Sequence, residues 1–322
     1  MTKRERVQRV LDGKRPDYTP TSFSLHFPKD REAALGTVET HRQFFLETDV
    51  DILKVMNEHQ TPSVAGIRVP SDWQKVPTFS RTDSFIQEQA AVIKEICDTK
   101  REDAPVVATI HGTCASTIHA MRPEYSDYYE IRRVQAEHYR AHPTYFIDAV
   151  KRIVEAQSYM IEESVKAGAD GIYFAVLGGE RDIYTHDEFD AVVKAHDFEL
   201  LALCRSLGVS VTLHLCKKGL DFEYFNGYEQ YCDIVNWGVY ENDLSLEQGQ
   251  RRFVGKTLMG GLANRSGVLV DGSDAELEAE IHSIIRAMEG VPFILGADCT
   301  LPSDISYARI RTAVDAARSV VW

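Results

Sequence analysis

The stretch that decides the fold runs from Ala167 to Leu213. It begins Ala167-Gly-Ala-Asp-Gly-Ile-Tyr-Phe-Ala-Val176, continues with helical spacing over residues 187–207, and ends Leu207-Gly-Val-Ser-Val-Thr-Leu213. A glycine precedes each apolar run, and glycine readily takes the left-handed conformation in which helices commonly end. Helices that end just before short apolar runs are typical of a chain that builds a parallel sheet from βαβ units.

The same alternation extends over the whole chain and predicts eight strands and eight helices. The predicted strands are residues 20–25, 52–56, 106–110, 171–176, 209–213, 234–237, 257–261 and 293–296. The predicted helices are residues 40–47, 84–98, 143–167, 187–207, 219–231, 245–253, 274–288 and 306–321. This is the pattern of an α/β protein with a (β/α)8 TIM barrel, a fold that typically takes about 250 residues as one unit. We therefore expect residues 1–322 to form a single domain.

An extra helix and two long connections are added to this pattern. Val7, Val10 and Leu11 share one face of a helix before the first strand, and we expect that helix to close the bottom of the barrel. Residues 57–83 and 112–142 are longer than ordinary connections and follow predicted strands. They should project from the C-terminal face, where barrel active sites lie, as lids or pocket walls.

The composition is that of a globular protein with a sizeable core. Hydrophobic residues make up 44% of the chain and charged residues 26%, and the net charge of −13 is spread along it. No cluster of Lys and Arg suits nucleic acid, and no apolar run approaches the roughly 20 residues that cross a bilayer. The first residues carry no apolar signal segment, so a cytoplasmic location is expected. Monomer and homodimer both stay open.

A histidine and two cysteines stand at predicted strand ends. His214 and Cys216 follow residues 209–213, and Cys299 follows the last strand. Alternate residues of an extended chain point to one side, and imidazole and thiolate are good zinc ligands. Three ligands with one open position are typical of catalytic zinc, whereas structural zinc has four ligands. The alternative is that both cysteines are small buried hydrophobes and His214 is a core histidine.

Six further residues at the predicted mouth are candidates for catalysis or substrate binding. Glu58 is a candidate proton donor or fourth ligand, although a solvent-facing loop carboxylate is an alternative. His111 ends the third strand and is a candidate for orienting substrate, or it is hydrogen-bonded to a loop. Core packing is the alternative for Trp237. The catalytic candidates are Glu58 and His111, and the substrate-binding candidates are Asn57, Tyr173, Asn236 and Trp237.

Four motifs carry a resemblance to a known family. They are Arg4-Glu-Arg-Val with Leu11-Asp-Gly-Lys-Arg-Pro, Asp51-Ile-Leu-Lys-Val, His214-Leu-Cys216, and Gly296-Ala-Asp-Cys299-Thr-Leu-Pro. The chain resembles the uroporphyrinogen decarboxylase superfamily and, within it, the zinc methyltransferases that work with corrinoid proteins. That branch holds zinc with an H-x-C pair and a later cysteine, which correspond to His214, Cys216 and Cys299.

The resemblance implies methyl transfer between a corrinoid and a small molecule. The small molecule is either a thiol acceptor or a methyl ether or similar methylated donor. No Asp-x-His-x-x-Gly corrinoid motif occurs in the chain, so the corrinoid is expected on a separate protein that docks at the long loops.

Two other functions compete with methyl transfer. The decarboxylase branch uses an arginine-rich element to hold the carboxylates of a porphyrinogen, but here residues 20–28 read Pro-Thr-Ser-Phe-Ser-Leu-His-Phe-Pro. A metal-independent decarboxylase is therefore the weaker expectation. A barrel that has lost catalysis and serves as a binding subunit is the remaining alternative.

Overall fold

Eight parallel strands form the centre of the protein, for which the computed structural model describes residues 1–27, 34–100 and 104–320. The strand order is β1-β8-β7-β6-β5-β4-β3-β2. The strands are β1 (Thr21–Ser22), β2 (Leu53–Val55), β3 (Val106–His111), β4 (Gly171–Val176), β5 (Ser210–Leu215), β6 (Ile234–Trp237), β7 (Thr257–Leu262) and β8 (Phe293–Ala297). Each strand lies beside its neighbour in sequence, as the βα pattern predicts.

The two ends of this sheet meet through Asp51. The backbone N–H groups of Asp51 and Ile52 donate to the carbonyl oxygen of Thr21, at 3.0 and 3.3 Å. The Asp51 carboxylate in turn accepts from the N–H and the hydroxyl of Thr21. These bonds link β1 to the start of β2, and the (β/α)8 barrel is confirmed.

Helices alternate with the strands around the barrel. They are α1 (Lys3–Leu11), α2 (Ala34–Thr48), α3 (Ser84–Lys100), α4 (Thr113–Met121), α5 (Tyr128–Ala141), α6 (Pro143–Lys166), α7 (His186–Phe189), α8 (Ala195–Ser206), α9 (Leu246–Arg252), α10 (Asp274–Ala287) and α11 (Tyr307–Ser319). A π-helical turn at Asp190–Lys194 joins α7 to α8. Gly168 and Gly208 follow α6 and α8 with φ of 108° and 72°, the left-handed exits that the sequence predicts.

The N-terminal helix α1 closes the lower end of the barrel, as expected. Its first turn has a capping box, in which Thr2 and Glu5 satisfy each other's backbone N–H groups. Val7 and Val10 pack against inward-facing residues of the strands, including Ile52 and Ile234. The barrel interior is therefore sealed at this end, and the opposite end is left for a site.

Several predicted boundaries need correction. The first predicted strand, residues 20–25, is only Thr21–Ser22, and the helix predicted over residues 40–47 begins at Ala34. The helix predicted over residues 219–231 is wrong, because two 3-10 helices, Phe222–Phe225 and Tyr228–Tyr231, replace it on either side of Gly227, whose φ is 94°. Residues 112–142 hold α4 and α5 instead of an irregular loop. Strand β5 runs to Leu215, two residues beyond the prediction. The last predicted helix ends at Ser319, and its expected terminus, Val321, lies outside the described residues.

Both long segments pack at the C-terminal end of the barrel. In residues 57–83, the buried Trp73 lies with its ring centroid 4.7 Å from that of Phe146 in α6. Its indole N–H donates to His138 in α5 at 3.0 Å. This segment is therefore anchored to the helices beside it. Within the described residues, no helix combines the length and the apolar character needed to cross a membrane.

Candidate metal centre

His214, Cys216 and Cys299 meet at the C-terminal end of the barrel. His214 lies in β5, Cys216 follows β5 directly, and Cys299 follows β8. The alternation of an extended chain turns residues 214 and 216 to the same side. The three potential ligand atoms lie within 4.8 Å of one another. Across the parts of the chain that the structure describes, this is the one group of three or more His, Cys, Asp or Glu side chains that converges in this way.

Two of the distances between these atoms match those expected around a tetrahedral zinc ion. Zn–S bonds of about 2.3 Å and Zn–N bonds of about 2.0 Å at tetrahedral angles put two sulfurs about 3.8 Å apart, and a nitrogen about 3.5 Å from a sulfur. The two Sγ atoms are 3.9 Å apart, and His214 Nε2 lies 3.4 Å from Cys299 Sγ. One nitrogen and two sulfurs also form a donor set that zinc prefers. The residues present therefore fit this metal.

Asn236 fixes which nitrogen of His214 faces the cysteines. Its Nδ2 donates to the carbonyl oxygens of Met259 and Ala297, so its Oδ1 must be the acceptor on the other side. Oδ1 lies 2.6 Å from His214 Nδ1, which therefore carries the proton and donates it. Nε2 is left with its lone pair directed toward Cys299, which is the form of histidine that binds a metal.

Tyr173 completes this hydrogen-bonded layer. Its hydroxyl donates to the same Asn236 Oδ1 at 2.8 Å, and its ring centroid lies 5.3 Å from that of His214. Burial, followed by the nearby cysteines, raises the pKa of Tyr173 well above its usual value, so the hydroxyl stays protonated and remains a donor. The imidazole is thus held from two sides.

The two thiols differ in their readiness to ionise. A hydrogen bond from Cys216 lowers the pKa of Cys299 well below its usual value, against the effect of burial, and the charge of Lys54 adds to this lowering. The same contact, together with burial, raises the pKa of Cys216. Cys299 is therefore the thiol of the pair that ionises more readily, and metal binding requires both thiol protons to leave.

A cavity of about 170 Å³ opens beside these three residues. Three buried side chains in its wall have a polar atom without a hydrogen-bond partner among the described residues: Asn57 Oδ1, Thr109 Oγ1 and His119 Nδ1. Burying a polar group without a partner costs free energy, so such atoms are typical of a surface that receives a ligand. The volume is below the roughly 300–1,000 Å³ of pockets for drug-sized ligands, so it suits a smaller molecule.

Five of the six other predicted residues divide into three groups. Asn57, His111 and Tyr173 line the cavity. Asn236 lies behind the cavity wall and contacts His214, so it can orient the imidazole without touching a ligand in the cavity. The carboxylate of Glu58 accepts a hydrogen bond from His26 at 3.2 Å outside the cavity lining.

Trp237 lies on the opposite side of β6 from the cavity. Successive residues of a strand face opposite sides, so Trp237 points outward where Asn236 points inward. Its indole N–H donates to Leu244 O at 2.8 Å, and its ring packs against Phe253 and Gly249. The predicted substrate-binding role of Trp237 is therefore corrected to a packing contact between β6 and α9.

Burial and neighbouring groups determine the charge of His111 and Glu58 near the cavity. Burial, with His26 and Lys54 nearby, lowers the pKa of His111 to about 4, so its imidazole is neutral at pH 7. Burial alone raises the pKa of Glu58, but the hydrogen bond and charge of His26 outweigh it and the net pKa is lowered. Glu58 is therefore ionised, and His111 is available as a neutral hydrogen-bonding group.

Sequence reasoning missed Lys54, His26 and His119. All three line the cavity, and Lys54 is buried in the middle of β2. A lysine between apolar residues of a core strand is a usable signal, because lysine is rarely buried without a reason. His119 lies in α4, within a segment predicted to be a loop, and no pattern identified it.

The comparisons with known proteins come from a family model and from solved structures. Residues 52–320 match the family model described as uroporphyrinogen decarboxylase (URO-D). No curated protein sequence matches the chain. A methyltransferase from Methanosarcina mazei superposes with a TM-score of 0.76 at 15% identity, over 98% of each chain.

Two further solved structures share the fold. A B12-independent methionine synthase from Shewanella sp. W3-18-1 has a TM-score of 0.57 at 14% identity, over 94% of this chain and 97% of its own. A putative vitamin-B12 independent methionine synthase from Listeria monocytogenes has a TM-score of 0.58 at 14% identity, over 93% and 96%. At such low identity these likenesses concern the fold alone.

Proposed function

Because the chain belongs to the uroporphyrinogen decarboxylase family and brings His214, Cys216 and Cys299 together, we propose that it is a zinc-dependent methyltransferase. It moves a methyl group between a corrinoid on a separate protein and a small thiol or methylated donor. The convergence of one imidazole and two thiols at the open end of the barrel carries this proposal, because three ligands leave one position for substrate.

Each residue of the centre has a distinct task. His214 offers the lone pair of Nε2, and Cys216 and Cys299 offer two thiolates. Zinc bound there supplies Lewis acidity that favours the thiolate of a thiol or the departing heteroatom of a methylated donor. Asn236 holds the imidazole in the required tautomer, and the buried site keeps competing water out.

Methyl transfer to a thiol balances without a further oxidant or reductant. The sulfur of the thiolate forms a bond to the methyl carbon while the cobalt–carbon bond breaks. Both electrons of that bond stay on the cobalt, and the proton of the thiol leaves to solvent when the thiolate forms. The reverse sense, in which reduced cobalt takes the methyl group from a methylated donor, balances equally.

The cavity wall opposite the cysteines is proposed to bind the rest of the substrate. Asn57, Thr109 and His119 present unpaired polar atoms, and His111 adds a neutral imidazole. Each of these groups can donate or accept one hydrogen bond, which suits a small polar molecule. Glu58 is proposed to hold His26 at the rim, in place of the proton-donor role expected from the sequence.

Decarboxylation of a porphyrinogen fits the cavity less well. Among the described residues that line it there is no arginine, and the lysines are Lys54 and Lys217. A tetrapyrrole with many carboxylates needs both more cationic partners and more room than about 170 Å³. We therefore advance no second function.

The corrinoid partner is proposed to dock at the mouth of the barrel. Residues of α4 and α5, including Ile118 and Tyr128, line the cavity from the segment that was expected to form the rim. Tyr128 and Tyr129 at the start of α5 are each 40% exposed, and aromatic side chains are common in protein interfaces.

Metal analysis and a methyl-transfer assay test the proposed function. The purified protein should hold about one zinc per chain, as three ligands with an open position imply. With 2-mercaptoethanol it should consume free methylcobalamin, followed by the change in the cobalamin spectrum. Cys299→Ser should lose both zinc and turnover. Protein that neither contains nor binds zinc contradicts the proposal, and a zinc-loaded protein with no turnover of any methyl donor or thiol favours a binding subunit.

A further inference from the structure

Lys54 places a positive charge in the core beside the metal-binding residues. It lies in the middle of β2, its side chain is 6% exposed, and it lines the same cavity as His214, Cys216 and Cys299. Its Nζ lies 3.5 Å from the centre of the Tyr173 ring and donates to Ser24 Oγ at 3.2 Å. Tyr173 in turn contacts His214, so the lysine belongs to the same packed layer.

No acidic side chain balances this charge. Within residues 1–27, 34–100 and 104–320, no carboxylate lies within 4.0 Å of Lys54 Nζ. A buried cation without a partner is costly, and its surroundings push it toward the neutral form. Burial indeed lowers the pKa of Lys54 to about 8, while Cys299 and then Cys216 raise it. The negative groups that favour the charged form of Lys54 are therefore the sulfur atoms of Cys299 and Cys216.

The charges of the metal ion, the two cysteinates and Lys54 indicate which kind of fourth ligand the centre favours. One divalent ion and two cysteinates sum to zero, so the centre with its metal is neutral and the charge of Lys54 is left over. A fourth ligand that binds as an anion brings the sum of the centre and Lys54 to zero. A neutral fourth ligand leaves a net positive charge in a buried site, which is unfavourable.

We propose that Lys54 is a specificity-determining residue, because its charge favours a ligand that binds to the open metal position as an anion. The small-molecule substrate is then a thiol, which binds as its thiolate. This inference rests on the proposed function, because it requires the metal. Its Nζ is held by Ser24 and by the Tyr173 ring, so its charge stays next to the cavity whatever the tail of the thiol. A neutral methyl ether gains nothing from this charge before its bond to the methyl group breaks.

Ligand binding to the cobalt-substituted protein tests the assignment. Cobalt(II) replaces the spectroscopically silent zinc, and two probes compete for the open position: 2-mercaptoethanol, which binds as an anion, and imidazole, which binds neutral. Both have an uncharged remainder, and the change in the ratio of their affinities between wild type and variant reports the effect of the charge on the bound atom. Dissociation constants are read from the visible absorption of the cobalt. Wild type, Lys54→Met and Lys54→Gln are compared, and Met keeps most of the side-chain volume.

Loss of the cation should weaken thiol binding by about tenfold or more, the effect expected of a nearby opposite charge, and should leave imidazole binding unchanged or stronger. Lys217→Met is the matched control, because Lys217 lines the same cavity but is only partly buried. Its effect on thiol binding should be smaller, since water screens its charge. Circular dichroism and the cobalt content of each variant verify that fold and metal are retained.

The outcomes separate this inference from the proposed function. If wild type binds no cobalt at these residues, the proposed function fails. If cobalt binds but both Lys54 variants keep the wild-type ratio of thiol to imidazole affinity, the assignment of Lys54 alone is overturned. An equal loss of both ligands indicates a packing role for Lys54, and an equal effect of Lys217→Met indicates a general positive potential. Either of these results also overturns it.

Discussion

Removal of the Asn236 side chain is expected to weaken zinc binding without touching a ligand. Asn236 Oδ1 lies 2.6 Å from His214 Nδ1, and Asn236 is 1% exposed, so water cannot replace it easily. In Asn236→Ala the imidazole loses the acceptor that keeps the proton on Nδ1. Loss of such a partner costs about 10- to 100-fold in metal affinity. This corresponds to about 1.4–2.7 kcal/mol.

Competition with a chromophoric zinc chelator at pH 7 measures the dissociation constants of wild type and Asn236→Ala. Tyr173→Phe is the control, because it removes a hydroxyl from the same Oδ1 and leaves the bond to His214 in place. We expect less than a tenfold change for this variant, since one neutral hydrogen bond contributes about 1 kcal/mol. A folded Asn236→Ala protein with wild-type zinc affinity would refute the positioning role of Asn236.

Three further predictions concern stability and are read from urea unfolding of wild type and variant. Burial lowers the pKa of His41 to about 4, so neutral His41 contributes fully to the free energy of unfolding above its unfolded pKa of about 6.5. That contribution, about 3 kcal/mol, is lost as the pH falls toward 4. His41→Gln should remove this pH dependence. Burial raises the pKa of Asp197 to about 6, so the free energy of unfolding is highest below about pH 4 and falls by about 3 kcal/mol as the pH rises to 6. Asp197→Asn should abolish this fall. For either variant, an unchanged dependence of the free energy of unfolding on pH contradicts the role given to that residue. Gly249→Ala should destabilise by about 1–3 kcal/mol, although alanine is the better helix former, because its Cβ would lie 2.2 Å from the Trp237 ring; a stabilised variant would show that the indole can move.

Local patterns were enough to predict the barrel and the convergence of His214, Cys216 and Cys299. The alternation of βα units determines the strand order, and the ends of parallel strands meet at one face of a barrel. His214 and Cys216 lie two residues apart on an extended strand, so their common direction follows from strand geometry alone. The position of Cys299 at the same face is predicted because Cys299 comes just after the end of the last strand. These features depend on neighbours in sequence, which is why they were predictable.

Features that depend on distant contacts were not predictable. Residues 219–231 have apolar side chains at helical spacing, but Gly227 and the surrounding packing divide them into two 3-10 helices. The helix α4 is buried along its full length, so it has no polar face to reveal a period. The place of His119 in the cavity wall was therefore not predicted from the sequence. The charge of Lys54 acquires meaning only through cysteines that lie more than 160 residues away.

The register of the sheet explains why position 236 carries an asparagine. His214 pairs with Asn236 across β5 and β6, so the side chain at 236 is the neighbour of the imidazole on the inner face. That side chain must donate to the Met259 and Ala297 carbonyls and accept from Tyr173 and His214. Only an amide offers both functions on one short side chain, whereas a carboxylate would set an oxygen against two carbonyl oxygens. A slip of one residue in β6 would bring Trp237 to this place and leave the imidazole without its acceptor, so the strand pairing and the metal-binding tautomer of His214 depend on each other.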